Sequence, residues 1–136
     1  MILLDEVLGA DQTSITAGVT IRRDSLFLGA CGVPSHIGIE YMAQAYGAYA
    51  GVKALESGEP VRIGYLLGTR LYEARIPWFR IGDRLIVSAS EIYREEHMGA
   101  FDCRIERQDE VVATAQLSVY QPAGSEPLPQ GSPHLA

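Results

Sequence analysis

Lysine is almost missing from this 136-residue chain: Lys53 is the only one, and all other positive charge is arginine. Acidic residues outnumber basic ones, 17 to 11, for a formal net charge of -6. A general nucleic-acid binder needs a basic face to neutralise phosphates, so that class is excluded. Cysteine is scarce too. Cys31 and Cys103 lie far apart and form no metal or redox spacing, so no metal and no cofactor are expected. No apolar run is long enough and clean enough to cross a membrane, because the longest is broken by Glu40 and Gln44. The opening Met-Ile-Leu-Leu-Asp-Glu lacks the basic region and apolar core of a secretory signal, and a soluble cytoplasmic protein is the expectation. There is no internal repeat.

What is present amounts to one domain, large enough to bury roughly two-thirds of its unfolded surface. Residues 1–120 carry the patterned sequence. Residues 121–136 contain Pro122, Pro127, Pro129 and Pro133 with Gly and Ser between them, and are read as a disordered tail with little to bury.

Three periodicities divide the patterned part. Ser14 to Arg22 alternates, with Ile15, Ala17, Val19 and Ile21 on one side, as in a half-buried strand. Pro34 to about Ser57 is helical, with Pro34 in the first turn and Gly58 as the stop. Beyond Pro60 come strand-like runs at Val61–Leu67, Arg70–Ile76, Arg84–Tyr93, Ala100–Arg107 and Glu110–Tyr120. Turns are expected at Ile81-Gly82-Asp83, near His97-Met98-Gly99 and at Gln108-Asp109. Short links between consecutive strands imply an antiparallel sheet.

The helix is apolar nearly all the way round, from Ile37 and Tyr41 through Tyr46 and Tyr49 to Val52, which predicts burial on every side. A curved sheet wrapped around one central helix achieves that in a short chain. Gly38, Gly47 and Gly51 each cost about 1 kcal/mol of helix propensity relative to Ala, which makes sense where another backbone comes close.

Within this helix His36, Glu40 and Gln44 are spaced i, i+4, i+8 and fall on one face. A carboxyl in an apolar wall holds its proton more readily than one in water, and that is what a general acid requires. The alternative is that Glu40 reaches solvent or pairs with an arginine across a subunit contact. His36 is open to a purely structural reading, and Gln44 to one of orienting Glu40 or satisfying a strand backbone group.

The stretch Gly38-Ile39-Glu40-Tyr41-Met42-Ala43-Gln44-Ala45 resembles the central-helix motif of the hotdog-fold 3-hydroxyacyl-[acyl-carrier-protein] dehydratases: glutamate, any residue, Met-Ala-Gln. Leu3-Leu4-Asp5-Glu6-Val7 is similar to that family's Leu-Leu-Asp-Arg-Val, and Tyr65-Leu66-Leu67-Gly68, then Pro77 and Gly82-Asp83, resembles its strand pair after the helix. The small dehydratase-like proteins of aryl-polyene clusters look most similar. The resemblance implies an α+β hotdog fold and dehydration of 3-hydroxyacyl thioesters on acyl-carrier protein, as in fatty-acid or aryl-polyene synthesis. It implies a catalytic role for Glu40 as acid, with His36, the one histidine nearby, as the candidate partner, and substrate contacts at Gly38, Gln44, Gly68 and Cys31. The amino end of the helix would polarise the thioester carbonyl.

One departure stands out. The family's Gly-His-Phe-Pro loop corresponds to Phe27-Leu28-Gly29-Ala30-Cys31-Gly32-Val33-Pro34, which has no histidine. That leaves room for a non-catalytic subunit paired with an active dehydratase, or for a hotdog thioesterase using Glu40 on water. Carrier proteins are acidic, so Arg70, Arg75, Arg80 and Arg84 are the expected docking residues. The implied assembly is a homodimer, or a heterodimer with a second hotdog subunit. No nucleic-acid or membrane partner is expected.

Overall fold

The computed structural model describes residues 2–58, 65–95 and 97–120; the Pro-rich segment and residues 61–64 of the first expected post-helix strand lie outside them. The chain runs β1 (Glu6–Ala10), β2 (Ser14–Thr20), β3 (Val33–Pro34), a 3-10 turn (Ser35–Ile37), α1 (Gly38–Ser57), β4 (Tyr65–Ala74), β5 (Trp78–Phe79), β6 (Arg84–Glu95), β7 (Met98–Arg107) and β8 (Glu110–Tyr120). Among the described residues, no helix is long and apolar enough to cross a membrane.

Period-two alternation makes the sheet. Ile15, Ala17 and Val19 of β2, Leu85, Val87 and Ala89 of β6, Phe101, Cys103 and Ile105 of β7, and Ala115, Leu117 and Val119 of β8 all point inward and are buried. Their neighbours Ser88, Asp102, Arg104 and Thr114 face the other way. All pairings are antiparallel, in the order β1-β2-β6-β7-β8-β4. Between β7 and β8, Gln108 and Asp109 turn the chain with φ of 54° and 64°. Two successive positive φ values give the turn that matches strand twist. The strand after the helix crosses to the far edge, beside β8, which leaves β1 and β4 as the two edges.

Helix α1 packs on the inward face, a hotdog arrangement of one helix against a curved antiparallel sheet. Tyr41, Met42, Ala45, Tyr46 and Tyr49 form its buried stripe. The rings of Tyr46 and Tyr49 meet Phe101 edge-on, with centroids 5.0 Å and 5.4 Å away. The opposite face departs from the all-round burial that the sequence suggests: Glu40, Ala43, Gln44 and Ala48 are half-buried and Gly47 is exposed. A sheet this size covers one side of a helix, so an apolar second side needs cover from elsewhere.

Three further boundaries differ from the sequence expectation. Pro34 is in β3, opposite Trp78, rather than in the helix; its φ of -57° and ψ of 138° are extended, and the helix begins only at Gly38. The expected Val61–Leu67 and Arg70–Ile76 strands are continuous as β4 from Tyr65, with bulges at Leu66/Gly68 and Arg70/Glu73. β1 has no alternation because all five of its residues are exposed. At the other end of the helix, Gly58 adopts φ 71° and its N–H returns to Ala54 and Leu55, the left-handed cap that glycine favours.

Candidate active site

The site is assembled from the open face of α1 and the chain's first residues. The side-chain oxygen of Gln44 accepts hydrogen bonds from the Leu3 N–H at 2.7 Å and the Leu4 N–H at 3.3 Å. These two bonds lay residues 2–4 across the helix as a strap, with Leu3 buried in the core. The strap continues toward β1, and just before that strand the Asp5 N–H donates to Gly18 O at 2.9 Å. Asp5 accepts the Thr20 N–H at 2.7 Å and two Arg22 N–H groups at 3.2 Å. Glu6 pairs with Arg84, which also donates to Thr20 Oγ1.

Strap and helix enclose an open pocket of about 750 Å³, with Phe27 reaching in from the loop after β2. Glu40 and Gln44 lie on its helix wall; Asp5 and Glu6 lie on its strap wall. The carboxylates are not equivalent. Asp5 and Glu6 are held by arginines, whereas Glu40 makes no hydrogen bond or ion pair among the described residues. It is half-buried in this single chain, short of the full desolvation its apolar sequence context suggests.

Two tyrosines and one cysteine are tuned away from proton transfer near neutrality. Burial, then the charge of Asp5, pushes the Tyr41 hydroxyl up to about 12. Burial pushes Tyr72 to about 12, and burial with Asp102 does the same to the Cys103 thiol. Burial alone would raise Asp5, but the Thr20 N–H and the Arg22 guanidinium more than offset it, so its carboxyl lies below the usual 3.8.

The helix's amino end has its own geometry. Tyr72 of β4 donates its hydroxyl to the Ser35 carbonyl, in the 3-10 turn. A Cβ at residue 38 would overlap that hydroxyl and come within 2.9 Å of Ile105 Cδ1, so any side chain there forces Tyr72 or Ile105 to shift. The bulge at Leu71, φ 58°, is the extra residue that turns Tyr72 inward.

The other expected site residues are dispersed. His36 is exposed on the 3-10 turn and off the pocket wall, because the change from 3-10 to α winding interrupts the assumed i, i+4 relation to Glu40. No histidine lines the pocket among the described residues. Cys31 is exposed at the tip of a loop closed by reciprocal Gly29 and Gly32 backbone bonds, and is not on the wall either. Gly68 lies on edge strand β4, across the sheet from β1 and the strap. Arg70 and Arg75 share that edge region, the latter donating to Val111 O at 3.1 Å. Arg80 is exposed in the turn before β6, while Arg84 sits three strands from β4 and is taken by Glu6. Sheet order therefore splits the arginine group. Phe27, Leu4 and Tyr72 contribute as well, without any local sequence signal that marks them. Their adjacency depends on long-range folding, and only the Leu3-Leu4-Asp5 match hinted at it. Among the described residues, no cluster of three or more His, Cys, Asp or Glu side chains is placed to hold a metal.

Comparison with known proteins agrees with this architecture. The ApeP-like family model, described as ApeP dehydratase, matches residues 1–130. The solved dehydratase heterocomplex ApeI:P from Xenorhabdus doucetiae is 29% identical, with TM-score 0.81 over 92% of this chain and 86% of that one. Two more distant structures share the fold alone. The smu.793 protein of Streptococcus mutans UA159, bound to acetyl CoA, is 11% identical with TM-score 0.70, covering 86% of this chain and 87% of that one. The E. coli PaaI protein from the phenylacetic acid degradation operon is 15% identical with TM-score 0.70, covering 88% and 80%. No curated protein sequence matches.

Proposed function

The chain belongs to the ApeP-like dehydratase family, and we propose that it acts in the dehydration of 3-hydroxyacyl thioesters carried on an acyl-carrier protein, with Glu40 as general acid. The observation that carries this reading is the contrast among the three pocket carboxylates. Two are consumed by arginine, and Glu40 alone is uncommitted among the described residues. In the reaction a base takes the proton from C2, and its electron pair forms the C2=C3 double bond. The C3–O bond breaks as Glu40 delivers its proton to the departing hydroxyl, which leaves as water. Positioned proton transfer of this kind contributes roughly 10²–10⁴-fold.

The base comes from outside this pocket wall, since His36 is off it. We assign it to a second hotdog subunit, by analogy with the ApeI:P heterocomplex. The same partner would cover the open face of α1, complete the desolvation of Glu40 and bring an edge strand toward it. Arg70 and Arg75 on the β4 side suit an acidic carrier protein, being free of the Glu6 pairing that neutralises Arg84.

The test is turnover of a 3-hydroxyacyl-carrier-protein substrate by the chain alone and with its hotdog partner, comparing wild type, Glu40→Gln and His36→Ala. The expected result is dehydration by the pair, a loss of at least about 100-fold with Glu40→Gln, and little change with His36→Ala. A pair in which Glu40→Gln keeps the full rate makes this chain a non-catalytic subunit, the reading that the missing pocket histidine otherwise favours. A marked loss with His36→Ala returns the base to this chain.

A further inference from the structure

Glu40 stands in the first turn of α1, and no bond of its own fixes it among the described residues, so its place is set by that turn. The turn lacks the usual anchor. Neither Pro34, before the 3-10 turn, nor Ile37, before α1, supplies a side-chain cap, and an uncapped helix start frays. It is tied down from the sheet instead. The Ser35 N–H donates to Pro77 O at 3.0 Å. The Ser35 carbonyl accepts the Gly38 N–H, which closes the 3-10 turn, and accepts the Tyr72 hydroxyl as well.

Two costly local features serve that last bond. Leu71 adopts φ 58°, a left-handed conformation that bulky residues rarely visit, and its side chain is left 77% exposed. Pairing of β4 with β8 resumes on either side, at Arg70 with Gln116 and at Glu73 with Thr114. The extra residue therefore adds nothing to the sheet; its effect is to aim Tyr72 over the start of α1. Gly38 supplies the matching space, since a Cβ there would overlap the Tyr72 hydroxyl. Backbone strain of this kind persists where surrounding structure imposes it, and it gathers at functional sites.

We propose that Tyr72 is the positioning residue of Glu40: its hydroxyl, held on the Ser35 carbonyl, fixes the 3-10 turn and with it the first turn of α1, where Glu40 meets the pocket. The inference rests on the dehydratase reading of Glu40. Tyr72 is not on the pocket wall, so it reaches the chemistry only through the turn. The lever is short, because Ser35 and Glu40 are little more than one helical turn apart. A displacement of about 1 Å at a reacting group can cost about 100-fold in rate. Without the hydroxyl the 3-10 turn relaxes, and the carboxyl shifts with it while the rest of the wall stays.

The test compares wild type, Tyr72→Phe and Tyr49→Phe, each as the full chain with its hotdog partner, on a 3-hydroxyacyl-carrier-protein substrate. Tyr49 is the control because its hydroxyl also donates to a backbone carbonyl, Gln12 O at 2.9 Å, and anchors the same helix further along. Both variants lose one such bond and should melt lower by similar amounts. Tyr72→Phe should lower kcat by about 10-fold or more with KM little changed, whereas Tyr49→Phe should keep the wild-type kcat. In a Glu40→Gln background Tyr72→Phe should cost nothing further, because its effect passes through that carboxyl. Amide hydrogen exchange in the chain should rise about 5-fold at Gly38, Tyr41 and Met42 in Tyr72→Phe, the scale of one lost hydrogen bond, and stay unchanged from Tyr46 to Val52. A kcat that falls equally in both tyrosine variants overturns the proposal. So does a full Tyr72→Phe loss on top of Glu40→Gln, or unchanged exchange at the helix start. A wild-type pair that dehydrates nothing sinks the dehydratase reading instead; raised exchange confined to the helix start then upholds Tyr72 as the residue that fixes the turn.

Discussion

Replacing Gly38 with alanine is the sharpest stability test of the site's framework, because ordinary helix propensity predicts the wrong sign. In a helix interior alanine is favoured over glycine by about 1 kcal/mol. At residue 38 the added methyl overlaps the Tyr72 hydroxyl and stands 2.9 Å from Ile105 Cδ1. Ile105 is fully buried, so relief must come from repacking the core around it or from moving the Tyr72 ring. Moving that ring gives up its bond to the Ser35 carbonyl, about 1 kcal/mol, and overpacking a filled core adds about 1–3 kcal/mol. The net expectation is a loss of about 1–3 kcal/mol after the propensity gain is subtracted. Urea unfolding at fixed protein concentration should show a lower midpoint with an unchanged slope. Gly51→Ala is the internal comparison: its Cβ meets nothing within 4 Å, so it should gain about 0.5–1 kcal/mol. The double variant Gly38→Ala with Tyr72→Phe should recover part of the loss, because the colliding oxygen is gone. A Gly38→Ala midpoint equal to or above wild type would refute the contact between β4 and the start of the helix.

Asp5→Asn should destabilise the strap in a pH-dependent way. The folded carboxyl lies below 3.8, so its contribution is complete above that value and is lost as pH falls through the lower folded value. Unfolding measured over a descending pH series should show wild type converging on the variant in acid; parallel curves would rule the network out. Thiol labelling should separate the cysteines. Exposed Cys31 should react in the native protein, and Cys103, buried and pushed to about 12, only after denaturation; native modification of both would contradict the burial of β7.

Much of the fold was written in local pattern. Ile15, Ala17 and Val19 alternate because a sheet buries one face, and the same rule recovers β6, β7 and β8. Gly58 marked the helix stop through its left-handed cap. β1 was invisible because an edge strand exposed on all five residues leaves no period to detect. A first-turn proline and an extended proline share the same φ, so sequence alone admits Pro34 to the helix and only its pairing with Trp78 sets it in β3.

Glu40 and Gln44 stood out in the sequence because two polar side chains in an apolar helix require an explanation, and neighbours on a helix face follow from its period alone. The sequence also determined that no histidine sits where the loop would place one. What only tertiary structure decided is which groups converge from a distance. It bound Gln44 to the amides of Leu3 and Leu4, tied Asp5 and Glu6 to arginines and left Glu40 uncommitted among the described residues. It also set Arg84 apart from Arg70. The reason is physical: periodicity fixes which way a side chain points, but the order of strands in the sheet fixes what it meets there.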